Sequence, residues 1–305
     1  MSSPKALART ADRRRSTGEL HQTLDPLLPD DDSVLTIPPA RHEEQARLEA
    51  EVLLGLGGIG GLTAYPLGIV RLRPEPDGLT IRVTDAPYVV MCWADLLLPR
   101  LSGEHDNDPR DRITGLPGLR YRRDHGSIHL HRPDMPTRIT LTGFPARWWD
   151  RITDRMHHDY DNFLQPQPDW TPAERAAYDA DTRWPYPPGP VFSPLLRRIR
   201  ATAGPGTVNS TDAWTSDGGY RMEATDGPLC PDLIRLLGDG PTGAGWKVTH
   251  KRCTCRCDHE HDNCAVDFLD PPTGIAIHYN NGRWGRTADQ AHHQRLTELN
   301  DEAFG

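Results

Sequence analysis

A chain of 305 residues, 36% hydrophobic and 26% charged, is long enough to bury two cores, and its net charge of −8 does not mark the whole surface for nucleic acid. The 29 prolines and 27 glycines imply many turns, short of a disordered or collagen-like composition. No apolar run approaches the roughly 20 residues that cross a bilayer, and the charged first twenty residues have no apolar stretch behind them. No membrane contact is expected, and a cytoplasmic, thiol-reducing setting is the default.

In chain order, residues 1–38 read as a mobile polar tail, and 39–164 as an α+β domain. "RHEEQARLEAEVLLG" has an acidic first turn and ends in glycine, as helices do. "GLGGIG" (Gly55 to Gly60) satisfies G-x-G-x-x-G and is similar over barely a dozen residues to the glycine-rich turn of adenylating, ThiF-like enzymes. That fingerprint needs a strand before it and a helix after it. Here the order is reversed, so the segment reads as a helix-to-strand connection and no nucleotide cofactor is expected. "GIVRLRP" and "LTIRVTD" flank "EPDG" as a β-hairpin, and "APYVVMCWADLLLPRL" follows as a mostly buried helix. "GLRYRRDHGSIHLHRP" is a second hairpin, "TRITLTG" a strand and "FPARWWDRITDRMHHDYDNF" a helix. In that hairpin a two-residue turn at His125-Gly126 sets Ile128 and Leu130 opposite Arg123 and Tyr121, and His129 and His131 beside Arg122 and Arg120. Both strand-to-helix turns place a proline at the helix start, which admits a degenerate ββα duplication or two ordinary turns. Residues 165–194 read as a Pro-rich connector around the short helix "TPAERAAYDADTR", anchored by Trp170, Trp184 and Tyr186. Residues 195–305 read as a smaller β-rich, Cys/His-containing module ending in a helix.

"RCTCRCDHEHDNC" packs four of the six cysteines and two histidines into Arg252–Cys264. A hairpin with its loop at 258–263 would face Cys257 with Cys264, Cys255 with Val266 and Cys253 with Phe268. Two thiolates converging across that pair, with imidazoles folding back from the loop, meet zinc's demand for four N or S ligands. The candidate ligands are Cys255, Cys257, His259, His261 and Cys264, around a closed, structural zinc ion. The same register also gives an apolar face on which cysteine is a small hydrophobe, and a Cys257–Cys264 disulfide is geometrically easy. Zinc is preferred to both.

Residues 110–155 hold ten arginines against five aspartates, and lysine occurs only at 5, 247 and 251. Arginine suits phosphate and carboxylate forks. Arg120, Arg122, Arg138, Arg147 and Arg151 are the candidate nucleic-acid contacts, with Trp148 and Trp149 as stacking surfaces. The expected function is non-enzymatic: a zinc-clamped binding protein meeting nucleic acid or a protein partner through this arginine-rich face. The alternative is a metal-dependent hydrolase or nuclease built on His129, His131, His157 or His158, Asp159 and Asp161. No G-K-S/T phosphate loop, G-x-S-x-G elbow or H-E-x-x-H helix is present.

Overall fold

The computed structural model describes residues 4–24, 36–57, 63–102, 113–160, 162–180, 188–204, 208–216, 219–238, 240, 242–251, 263–282 and 286–303. The fold is α+β, with mixed sheets and helices packed on them. Strands β2 (Ile69–Glu75) and β3 (Gly78–Val83) form the first hairpin, in which Leu72, Ile81 and Val83 point into the core. Strands β6 (Arg120–Asp124) and β7 (Ser127–His131) form the second. Its register pairs Arg120 with His131, Tyr121 with Leu130, Arg122 with His129 and Arg123 with Ile128, as the alternation requires. The turn residues His125 and Gly126 have φ of 42° and 96°, the positive values that a two-residue hairpin turn demands.

With β8 (Ile139–Thr142) these strands make a five-stranded sheet in the order β2-β3-β8-β7-β6. Its central pair, β3 and β8, is parallel, with Leu79 beside Ile139. Each central strand feeds a helix, α4 (Pro87–Leu97) after β3 and α5 (Ala146–Asp159) after β8, and the two helices pack on each other. They cover Ile81, Ile128, Leu130, Ile139 and Leu141, all fully buried. Burial of each such side chain contributes roughly 1.5–3 kcal/mol. Trp149 stacks on Phe144 and meets Tyr121 edge-on at 5.7 Å, while the Trp93 indole donates to the Leu67 carbonyl.

The second sheet has the order β1-β9-β10-β13-β12-β11, from β1 (Thr63–Ala64), β9 (Val208–Ser216), β10 (Gly219–Thr225), β11 (Lys247–Lys251), β12 (Asn263–Leu269) and β13 (Ala276–Gly282). Only the β10–β13 pair is parallel. Helix α3 (Glu43–Gly57) packs on β9 and against α7 (Gly189–Leu196), and α8 (Cys230–Leu237) lies on β12. Gly57 is in close contact with β9: a Cβ there would meet the Ala213 nitrogen at 2.7 Å. This accounts for one glycine of "GLGGIG"; residues 58–62 lie outside the described set.

Among the described residues one contiguous set of buried residues runs from Leu48 to Tyr279, and Ile113, Leu164 and Ala177 form a small separate set. The reading of 1–38 as a mobile polar tail is corrected over its described part. Pro4–Thr17 is helix α1 and His21–Leu24 helix α2, with Arg13, Thr17, Glu19 and Leu24 buried. Arg13 forks onto Glu19 and donates to the Thr36 carbonyl, so the segment is tied down by charge rather than by apolar periodicity. The short helix expected within the Pro-rich connector is α6 (Pro172–Asp179), opened by a capping box between Thr171 and Glu174. Trp170 acts as an anchor, its indole donating to the Pro133 carbonyl; Trp184 and Tyr186 lie outside the described residues. The short pair β4 (Arg100–Leu101) and β5 (Ile113–Thr114) and the terminal helix α9 (Arg286–Glu302) complete the fold. Among the described residues no helix is long and apolar enough to cross a membrane.

Candidate functional site

The apolar side chains of the five-stranded sheet face α4 and α5, so strand alternation sends the polar ones to the opposite face. Cross-strand register lines them up in rows. Arg73, Thr80, Thr140, His129 and Arg122 are successive partners across all five strands. Beside them lie Arg71 opposite Arg82, and Arg82 beside Thr142. At one end of the face Arg122, His129, His131, Thr137 and Arg138 line a shallow cavity of about 250 Å³. At the other, Glu19, Arg71, Leu72, Arg73, Thr80, Arg82 and Thr142 line one of about 220 Å³.

The electrostatics of this face are uneven. Arg73 and Arg138 each reach Glu75 at 3.3 Å, and His129 bonds Thr140 at 3.0 Å. Arg71, Arg82 and Arg122 make no ion pair among the described residues. Like charges directly opposed on neighbouring strands repel, so Arg71 and Arg82 carry an uncompensated cost that an anion would relieve. Burial, together with the nearby Arg122 and Arg120 charges, holds the His131 imidazole below its ordinary value and therefore neutral at neutral pH. The positive potential here is arginine's.

The expected arginine surface is corrected in two ways. Arg120 is buried, its guanidinium clamped on both Glu174 oxygens at 2.8 Å and on the Gln167 and Asp169 carbonyls, so it is unavailable to a ligand. Arg147 and Arg151 are exposed but stand on α5, which covers the other face of the sheet. Arg122 and Arg138 remain. Trp149 is fully buried and Trp148 is partly buried against the core, and both stand on α5 with Arg147 and Arg151. Sequence reading missed Arg71, Arg73 and Arg82; the alternation of "VRLR" and "TIRV" was the signal, and only the sheet order shows that they share a face with Arg122.

The hydrolase alternative needs its two histidine groups around one ion. His129 and His131 stand on the open face, while Asp159 lines a separate cavity between α4 and α5 with Cys92, Arg155 and Tyr160. His158 is exposed and bonds Asp159 at 3.1 Å, and His157 meets the Phe163 ring edge at 4.7 Å. The sheet separates the two groups, and Asp161 lies outside the described residues. No cluster of three or more His, Cys, Asp or Glu side chains suited to a metal occurs among the described residues.

Of the zinc candidates, Cys255, Cys257, His259 and His261 lie outside the described residues. Cys264 is described and buried, on β12 opposite Asn281. The expected hairpin register is corrected: the partner of Val266 is Lys251, not Cys255, and the partner of Phe268 is Val248, not Cys253. A bulge between Val248 and His250 contributes one residue of this offset. The chain therefore pairs earlier than the cysteine spacing suggests, leaving Cys253–Cys257 beyond the end of the described strand.

Comparison with family models, with curated proteins and with solved structures finds no match to this chain, so its functional reading rests on the geometry above.

Proposed function

We propose that the protein is a non-enzymatic nucleic-acid-binding protein that grips phosphates with the open face of its five-stranded sheet, and that a structural zinc ion clamps its C-terminal hairpin. One observation carries the first part: the row from Arg73 to Arg122, with Arg71 and Arg82 alongside and lacking carboxylate partners. Four strand spacings of about 4.8 Å separate the ends of that row, so the arginines straddle roughly 19 Å. A face of that width admits a phosphate backbone with several contacts at once. Threonine hydroxyls between the arginines supply neutral hydrogen bonds to phosphate oxygens. The acidic total is no obstacle, because local fields rather than net charge steer an approaching polyanion.

The zinc part is supported by the ligand chemistry of Cys255, Cys257, His259, His261 and Cys264, and by the burial of Cys264 at the base of the hairpin.

Fluorescence anisotropy on labelled duplex DNA and RNA between about 50 and 200 mM salt tests the binding reading. Each phosphate contact adds about 0.9 to the slope of log K against log salt, so Arg82→Ala and Arg122→Ala should each flatten it by about that amount. Arg151→Ala, on the far side of the sheet, should leave it unchanged. Absence of binding at the lowest salt, or equal effects of Arg151→Ala and Arg122→Ala, overturns the assignment.

A further inference from the structure

The two ends of the open face differ in charge, because different numbers of their arginines are matched within the chain. At the β6 end Arg138 reaches Glu75, and Arg122 is the cavity-lining arginine without an ion pair among the described residues. At the β2 end Arg71, Arg73 and Arg82 line the cavity of about 220 Å³, and of these Arg73 alone has a described carboxylate within reach, Glu75 at 3.3 Å. The Arg71 Nε is buried without a hydrogen-bond partner among the described residues, a costly state for a charged donor. Glu19 also lines this cavity, but its oxygens already accept the Arg13 fork and the Thr17 hydroxyl, so its charge is matched within the N-terminal segment.

Local chain geometry builds this end of the face. Strand β2 pairs Ile69 with Val83 and next Arg71 with Arg82, so Val70 is the extra residue of a β-bulge. Regular alternation would instead put Val70 opposite Arg82 and turn Arg71 to the core side. The turn between α1 and α2 presses on the bulge: Gly18, at φ 73°, is so close that a Cβ there would meet the Val70 carbonyl oxygen at 2.5 Å. Strand β2 is the edge of its sheet, and Glu19, next to Gly18, stands in the cavity wall there. A strand of nucleic acid crossing the sheet therefore meets a wall at β2. Pockets for whole small molecules run to roughly 300–1,000 Å³, so a cavity of about 220 Å³ suits a phosphate group rather than a nucleotide. Charge selects the kind of phosphate. A diester carries one negative charge, whereas a terminal monoester carries about −1.5 to −2 at pH 7, which matches two adjacent unpaired guanidinium groups.

We propose that the cavity at the β2 edge holds the terminal phosphate of a nucleic-acid strand, gripped by Arg71, Arg82 and the Thr80 hydroxyl. Arg122, three strands along at about 4.8 Å each, then meets an internal phosphodiester of the same molecule. The inference rests on the reading of the open face as a phosphate-binding surface, and it gives that surface a direction, with the strand end at β2 and the body of the polymer toward β6.

The test is fluorescence anisotropy of the full chain on internally labelled duplexes of one sequence, whose strands end in phosphate or in hydroxyl. Phosphate at either the 5′ or the 3′ end should tighten binding roughly tenfold, through the added charge-assisted contacts. Arg71→Ala and Arg82→Ala should each abolish the difference between the two kinds of duplex, whereas Arg122→Ala should weaken both and preserve their ratio. Arg82 is exposed, so its variant decides the matter if Arg71→Ala does not fold. Inorganic phosphate and AMP, added as competitors, separate a strand end from a free phosphate: each should displace the phosphorylated duplex only at concentrations far above those of an unlabelled phosphorylated duplex. Equal affinity for phosphorylated and hydroxyl-ended duplexes overturns the terminal site and leaves the binding face standing. Displacement by AMP as effective as by the duplex overturns the assignment to a strand end. Binding of no duplex in either form overturns both the terminal site and the face.

Discussion

Glu49→Ala is the substitution that most directly tests how this interior is held. Glu49 and Arg197 are both completely buried, and the carboxylate takes Arg197 Nη2 at 2.6 Å and Nε at 2.8 Å. It also accepts from Ser193 Oγ and Gln45 Nε2, each at 2.7 Å. The guanidinium spends its remaining donors on the carbonyls of Pro38, Glu75 and Gly78. One pair thus joins α3, α7, the β2–β3 turn and the N-terminal segment. Removing the carboxylate strands a buried guanidinium, and breaking a buried pair from one side costs about 3–5 kcal/mol. At about 2 °C per kcal/mol for a chain of this length, Tm should fall by roughly 6–10 °C.

The double variant Glu49→Leu with Arg197→Met replaces the pair by hydrocarbon. It should recover most of that loss, because no charge is left unsolvated. Urea and thermal unfolding of wild type, both single variants and the double variant complete the cycle. A loss below about 1 kcal/mol for Glu49→Ala, or a double variant as unstable as the sum of the singles, refutes the reasoning.

Burial alone would raise the carboxyl groups of Glu51 and Glu174, but Arg132 and Arg47 beside the first, and Arg120 with the Thr171 and Gly118 amides beside the second, hold both below their ordinary value. A depressed folded pKa stabilises above the unfolded value and loses that contribution as pH falls through the folded one, so the urea midpoint should decline below about pH 4.5, and less steeply in Glu174→Gln. Arg120→Ala should lower Tm by several degrees, since it leaves the Glu174 carboxylate buried and unpaired, whereas Arg122→Ala should leave Tm unchanged and weaken polyanion binding; calorimetry beside the anisotropy assay separates the two. Gly57→Ala should cost about 1–3 kcal/mol, read by urea denaturation, because its methyl group would meet the Ala213 backbone at under 3.0 Å.

The first sheet was legible because its strands are half-buried. Alternation in "SIHLH" and "LTIRV" reports one wet face and one dry one, and the His125-Gly126 turn fixes the register between β6 and β7. Helix α3 carries an acidic first turn, α4 a proline in its first turn and α5 Pro145 at its N-cap, each ahead of buried apolar residues. What failed did so for a shared reason. Helix α1 is polar along its length, and its place in the fold is set by Arg13 on Glu19, a contact with no periodic signature. The role of Arg120 depends on Glu174, 54 residues away on the short helix α6, a pairing that no local pattern reports. The β11–β12 register turned on a bulge, which shifts pairing without altering composition.

Two groups of arginine stand apart, and on the proposed reading the distinction decides what kind of nucleic acid the sheet should prefer. Arg13, Arg120, Arg132 and Arg197 are interior forks, each matched to a glutamate. Those on the open face alternate with threonine and histidine, and the five strands place no Phe, Tyr or Trp there: Tyr121, their only such residue, points the other way, to Trp149 and Thr153. A face without aromatic platforms forgoes the ~1–3 kcal/mol per base that stacking gives to single-strand binders. On the proposed reading its grip would come from phosphate charge, which is denser along a duplex, so duplex should bind more tightly than a single strand of equal length, with little dependence on sequence. The expected salt slope is also steeper for duplex, ~0.9 against ~0.7 per phosphate contacted. Anisotropy titrations on matched duplex and single-stranded probes of scrambled sequence measure both. A single-strand preference accompanied by tryptophan quenching would place the contact on another surface and remove the sheet face from the mechanism.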